Sequence, residues 1–222
     1  MVFELCAENL AACQAAQAGG AHRVELCASL EVGGLTPAAG LVAEAVRVGP
    51  PVHAMVRPRP GDFDYSGSEF ATMLDTLDRL RRLGIAGAVV GILTPDGRVD
   101  IPRMSRFVEH AGSLEVSFHR AFDEAADLDA ALEAVIAAGC IRLLTSGGAA
   151  DVLTGAARLR QFNAQAAGRI AIAAGGGLRL DNAAEVARIS GLQNFHGTLR
   201  RPGHSVPEAE DIRSAIRLLS LE

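Results

Sequence analysis

The sequence has no tryptophan and a single tyrosine among its 222 residues. With few large rings available, a core has to come from aliphatic and small residues. At 49% hydrophobic with 24 glycines, the chain suits many short strands and helices joined by tight turns. It lacks any excess of positive charge: 21 Lys+Arg stand against 26 Asp+Glu, a net −5. It also lacks the basic run that tracks a phosphodiester backbone, so no nucleic-acid partner is expected. No apolar stretch reaches the roughly 18 residues of a membrane span, and no basic segment leads into an apolar one at the start. The expectation is therefore no membrane partner and a cytoplasmic location. Four cysteines (Cys6, Cys13, Cys27, Cys140) are too few for a disulfide scaffold of this size, and free thiols in a reducing compartment follow. Cys13 and Cys140 lie in alanine-rich helical surroundings and read as small buried hydrophobes. There is no dinucleotide fingerprint, so no organic cofactor is indicated. There is also no CxxC or HxxxH cluster to build a structural zinc site.

What the chain does have is alternation. Strand patterns fall at residues 2–6, 23–27, 52–57, 87–92, 114–119, 141–145, 170–174 and 193–196. Helical patterns fall between and after them, at residues 9–18, 37–48, 68–83, 101–111, 128–138, 152–165, 180–189 and 207–219. Asp100-Ile101-Pro102 marks one helix start, and Asn182 or Asp181 can cap another. Gly84, Gly139 and Gly191 end helices just before new strands, where a left-handed residue is needed. A helical crossover after each strand specifies a parallel sheet, and eight such units close most economically as a (β/α)8 TIM-like barrel. No linker interrupts it, so residues 1–222 read as one domain. An open doubly wound sheet is the alternative, disfavoured because the glycine-rich turns come late.

Functional side chains concentrate where the strands end. The tetrapeptide ELCA occurs at Glu4-Leu5-Cys6-Ala7 and again at Glu25-Leu26-Cys27-Ala28. Nothing continues that period, so these are the first two strands of one barrel rather than repeats. The third strand ends in Arg57, the fifth in Ser117, His119, Arg120 and Asp123, and the eighth in His196, while the amino ends carry mostly ordinary residues. Active sites gather at the carboxyl face of such barrels. Residues two apart share a face of a strand, so Glu4 with Cys6, Glu25 with Cys27, Met55 with Arg57 and Ser117 with His119 point the same way. Arg57 then either neutralises Glu4 or Glu25 or holds an anion. Ser146-Gly147-Gly148 and Gly175-Gly176-Gly177, in the late loops, can bring backbone N–H groups to an anion, with Arg120 beside them. Adjacent strands are about 4.8 Å apart, so inward thiolates of Cys6 and Cys27 can meet around one soft ion, copper(I) being the natural candidate.

The segments VELCASLEVGGLTP, MVRPRPGDFDYS, GILTPDGRVD, SFHRAFD, LLTSGG, AAGGG and FHGT, in this order up to about Arg200, closely resemble the CutC family, often described as copper homeostasis proteins. The resemblance implies a TIM-like barrel, a cytoplasmic protein that is a homodimer or larger homo-oligomer, and Cys6 and Cys27 as copper(I) ligands. The chain departs from the family at Pro60, where glycine is usual, and at Gly197-Thr198 after FH; its tail after Arg200 is short. Three readings stand side by side. The first is a copper(I)-binding homeostasis protein. The second is an enzyme acting on a small anionic, sugar-like or phosphorylated compound. There Glu4 or Glu25 would be the base, His119 or His196 the acid, Asp123 a further catalytic candidate, and Arg57 and Arg120 the anion holders. The third is a scaffold with neither activity, disfavoured by the concentration of polar groups at one face.

Overall fold

A computed structural model describes residues 1–220. Eight strands alternate with eight α-helices: β1 (Val2–Ala7), α1 (Leu10–Gly19), β2 (Arg23–Leu26), α2 (Ala39–Val48), β3 (Val52–Met55), α3 (Gly67–Arg82), β4 (Gly87–Val90), α4 (Ile101–Ala111), β5 (Glu115–Phe118), α5 (Leu128–Ala137), β6 (Arg142–Thr145), α6 (Ala156–Ala166), β7 (Ala171–Ala174), α7 (Ala183–Ser190), β8 (Asn194–Gly197) and α8 (Ala209–Ser220). All neighbours pair in parallel, and β8 returns to β1 with Val2 opposite Asn194, which closes the barrel. Two short 3-10 helices, Leu30–Val32 and Arg120–Glu124, lie in the loops after β2 and β5.

The ends of the helices are set by local chemistry. The Asn9 side chain accepts from the Ala12 N–H, and Ser66 with Glu69 forms a reciprocal capping box on α3. Asp100 accepts from Arg103 N–H with Pro102 in the first turn of α4, as its sequence predicts. Gly84, Gly139 and Gly191 take the positive φ expected of them, at 87°, 88° and 66°. The cap expected at Asn182 takes another form. Its side chain makes no bond into α7; it accepts from Arg179 N–H and donates to the Gly177 carbonyl, bracing the glycine-rich loop after β7.

Strand alternation sorts the interior into two worlds. Phe3, Leu5, Val24, Leu26 and Phe195 join the apolar layer against the helices, where Phe122 and Phe162 meet edge to face at 5.4 Å. The opposite faces point into the barrel. Arg23 on β2 reaches Glu115 and Ser117 on β5, and Arg142 on β6 approaches Glu4 on β1, contacts that cross the lumen. The lumen is therefore charged well below its mouth. This corrects the expectation of ordinary residues at the amino ends of the strands: Arg23, His53, Glu115, Arg142 and Asn194 lie there, joined by hydrogen bonds.

Glycine makes room for these interior rings. A Cβ on Gly87 would lie 2.3 Å from His53 Cδ2 and 2.5 Å from the Glu115 carbonyl oxygen. The backbone oxygen cannot move aside, so Gly87→Ala is expected to destabilise the fold by about 1–3 kcal/mol, the usual range for overpacking. Urea unfolding of the variant beside wild type measures it.

Candidate functional site

At the carboxyl ends of the strands lies a cavity of about 750 Å³. Cys6, Glu25, Met55, Arg57, His119 and His196 line its floor and walls, with Arg120, Asp123, Gly148, Gly176, Gly177 and Arg200 toward its rim. The structure thus gathers most of the sequence candidates around one space. Cys27 does not line that space. It is fully buried behind Cys6, in a small apolar cluster with Met55 and Val89.

Glu4 does not line the space either; it lies buried among the charged groups of the lumen, 2% exposed. Its carboxylate receives Arg23 Nε at 2.5 Å and His196 Nδ1 at 2.8 Å, and Arg142 Nη2 lies 3.8 Å away. Burial by itself raises a carboxyl pKa; here the positive charge of Arg142, the hydrogen bond from His196 and the charge of Arg23 outweigh it and hold Glu4 well below the usual range. Glu25 has no such company. Burial and the neighbouring Glu4 charge raise its carboxyl against the pull of His196. Two glutamates in the same sequence context are therefore shifted in opposite directions, and Glu4 is tied up in its ion pairs below the cavity.

Burial opposes a charge on His196, but the charges of Glu25 and Glu4 and the hydrogen bond to Glu4 reverse this and raise the imidazole pKa. With Nδ1 tied to Glu4, the Nε2 edge points toward Glu25, whose Oε1 is 3.9 Å away. Cys6 Sγ lies 3.7 Å from that same carboxyl oxygen and 3.8 Å from Cys27 Sγ. Its hydrogen bond with Cys27, then burial and the Glu25 charge, raise the Cys6 thiol. Ligand atoms of Cys6, Glu25 and His196 all fall within 4.8 Å of one another, the one such group among the described residues. Cys13 and Cys140 lie elsewhere, as inert buried thiols pushed up to about 11 and about 12.

His119 is set differently. Its Nδ1 accepts from the Ala121 N–H at 3.1 Å, which leaves the ring hydrogen on Nε2, a buried atom with no partner in the protein. Burial and then the Arg57 charge push its pKa down to about 3, so the ring is neutral. Gly91 makes space for it, since a Cβ there would lie 2.4 Å from His119 Cε1.

Two expectations about cations and loops change. Arg57 pairs with neither glutamate. Its Nη1 donates to the Val32 and Gly34 carbonyls and its Nη2 to the Gly61 carbonyl, while the guanidinium lies 4.7 Å from the Phe63 ring centre. It ties together the loops after β2 and β3. The loop after β6 already holds an anion, the carboxylate of Asp123, which accepts from Ser146 N–H, Ser146 Oγ, Thr145 Oγ1, Gly148 N–H and Arg120 Nε. Gly147 N–H is taken by Thr145 Oγ1. Ser146, Gly147 and Gly148 therefore have no donors to spare, and Asp123 is fully occupied as their acceptor. Gly175 N–H bonds the Thr145 carbonyl, whereas Gly176 and Gly177 border the cavity with φ of 99° and 83°.

The CutC family model matches residues 1–201. The chain belongs to the CutC family. A CutC protein of Chromobacterium violaceum is 48% identical over 200 residues, covering 90% of this chain and 81% of the relative. One from Porphyromonas gingivalis is 44% identical over 214 residues, covering 96% and 85%. The crystal structure of Streptococcus agalactiae CutC, a protein assigned by name to copper homeostasis, superposes with a TM-score of 0.84 at 30% identity, over 90% of this chain and 100% of the other. In this CutC chain, sequence reasoning missed Arg23, Arg142 and Arg200. The available signal was compositional: there is no lysine, and all 21 basic residues are arginine, the side chain suited to fixed and buried ion pairs.

Two measurements follow from the electrostatics. Arg23→Met removes the hydrogen-bonded partner of a buried carboxylate and is expected to cost about 3–5 kcal/mol in unfolding free energy, with Glu4→Gln/Arg23→Met recovering part of it. His119 has a folded pKa lowered to about 3 against the usual 6.5. Its contribution is therefore complete above pH 6.5 and is lost as pH falls toward 3, because the unfolded chain takes up the proton first. Stability measured across that window should fall less steeply in His119→Gln than in wild type.

Proposed function

We propose that the mouth of this barrel binds copper(I) as cargo, with the thiolates of Cys6 and Cys27 as the two principal ligands. The observation that carries this reading is the 3.8 Å approach of the two sulfurs beside the Glu25 and His196 ligand atoms. Thiolate sulfur is soft and suits a soft monovalent ion that accepts few ligands. The Cys27 sulfur lies behind Cys6, so an ion enters from the cavity past Cys6 and is then enclosed by Met55 and Val89. The naming of the Streptococcus agalactiae CutC protein for copper homeostasis supports the same reading.

His196 Nε2 supplies a third donor on loading. Glu4 fixes that ring through Nδ1, the carboxylate–histidine arrangement that orients metal-ligating imidazoles. Glu25 takes no necessary part as a ligand; its oxygen lies where it can accept the Cys6 proton when the thiol ionises. Loading thus displaces protons, and affinity rises with pH through the range in which Cys6 and His196 deprotonate.

Anaerobic titration of copper(I) against a competing chelator tests the proposal. Wild type should bind one equivalent, and Cys6→Ser/Cys27→Ser should lose it. Glu4→Gln, which touches neither sulfur, should weaken binding about 10- to 100-fold, the usual effect of removing such a supporting carboxylate. Equal affinity in wild type and the double cysteine variant overturns the assignment.

A further inference from the structure

The cavity is far larger than a bare ion needs. At about 750 Å³ it falls within the 300–1,000 Å³ typical of small-molecule sites. Its unsatisfied groups are of one kind. His119 Nε2, Arg57 Nε, and Arg200 Nε and Nη2 are buried nitrogen atoms without a partner in the protein, and all three residues line the cavity. Every one of them is a donor. Buried donors left unpaired cost stability, so several converging on one space call for a ligand rich in acceptors.

Charge selects among such ligands. Arg120, Arg179 and Arg200 stand at the rim. Arg200 spends one nitrogen, Nη1, on Glu8 at 2.7 Å, and the rest of its guanidinium is unengaged. Of the three acids lining the space, Asp123 is consumed by the loop after β6, Glu25 lies beside the thiol pair, and Glu124 is exposed to solvent, one rim acid against three rim arginines. An anionic end is therefore favoured near the rim. Deeper in, the donor is a neutral imidazole whose hydrogen is fixed on Nε2 by the Ala121 N–H. A neutral donor suits a carbonyl or hydroxyl oxygen.

We propose that this cavity holds, apart from the thiol pair, a site for a small organic anion: a carboxylate or phosphate monoester whose carbonyl or hydroxyl oxygen accepts from His119 Nε2–H while Arg200 engages the charged end. With no lysine in the chain, no lysine side chain can form an imine with a ligand carbonyl, and recognition rests on hydrogen bonding and charge.

Thermal-shift and calorimetric titrations of the full chain test this, using inorganic phosphate, glycerol 3-phosphate, dihydroxyacetone phosphate, glycerate and pyruvate as probes. At least one organic probe should raise Tm saturably, and the phosphate and carboxylate arms identify which anion is preferred. His119→Asn and Arg200→Leu should each weaken that binding tenfold or more, while Cys6→Ser/Cys27→Ser should leave it intact. Loss of copper without loss of the organic anion, or the reverse, separates this site from the metal reading. No stabilisation by any organic probe overturns the proposal, as does equal binding by inorganic phosphate and the organic anions, or unchanged affinity in both the His119 and Arg200 variants. Should a variant fail to fold, a wild-type crystal soaked with the best probe answers instead. Density joining His119 Nε2 to Arg200 supports the site, and density elsewhere overturns it.

Discussion

Glu4 carries a negative charge into the middle of a closed barrel, where water cannot screen it, and three neighbours answer it. Arg23 and Arg142 neutralise the charge from β2 and β6, and His196 binds the remaining side of the carboxylate from β8. An ion so deeply buried is expensive unless its partners are in place, so this one residue fixes the rotamers of three others on three strands. The arginines are in turn held by Glu115, Ser117 and Asn194. The mouth stands on this charged floor. His196 presents Nε2 toward Glu25 and Cys6 because Nδ1 is already committed below.

From that constraint the two glutamates of the ELCA pair part company. Each lies in the same tetrapeptide and each points inward. Only Glu4 meets the arginines, and it stays ionised, whereas Glu25 meets a thiol and a shared imidazole and is pushed toward its neutral form. Burial and its neighbours raise the Cys6 thiol, which keeps its proton until something draws it away. The same floor supports a wide, donor-lined space above. Metal and organic anion would then occupy neighbouring parts of one mouth, the soft ion against Cys6 and Cys27 and the oxyanion against His119 and Arg200.

Much of this was legible in the chain. The alternation of strand and helix patterns, the helix-ending glycines and the Asp100 cap all report local physics, because periodicity and capping act over a few residues. That Glu4 shares a face with Cys6, and Glu25 with Cys27, follows from strand parity alone. The loop roles were not legible. Arg57 reads as a counter-ion but binds carbonyl oxygens, and the Ser146-Gly147-Gly148 turn reads as an anion cradle but is filled by Asp123. Both outcomes depend on which loop folds over which, and Asp123 and Ser146 are brought together by a 3-10 turn after β5.

The sequence by itself determined the barrel, the strand-end positions of Cys6, Glu25, His119 and His196, and the buried setting of Cys13 and Cys140. These depend on local periodicity and on strands following one another in order around a closed sheet. Only the tertiary structure decided which charges meet. Arg23 reaches Glu115, 92 residues on, across the lumen, whereas Glu4 meets His196 because β8 closes on β1 with the two in register. Contacts across the lumen are set by stagger and strand tilt, which no short stretch of chain encodes. That is why the same E-x-C written twice became a buried anion held by arginines on one strand and, on the next, a carboxyl raised by burial beside the Cys6 thiol.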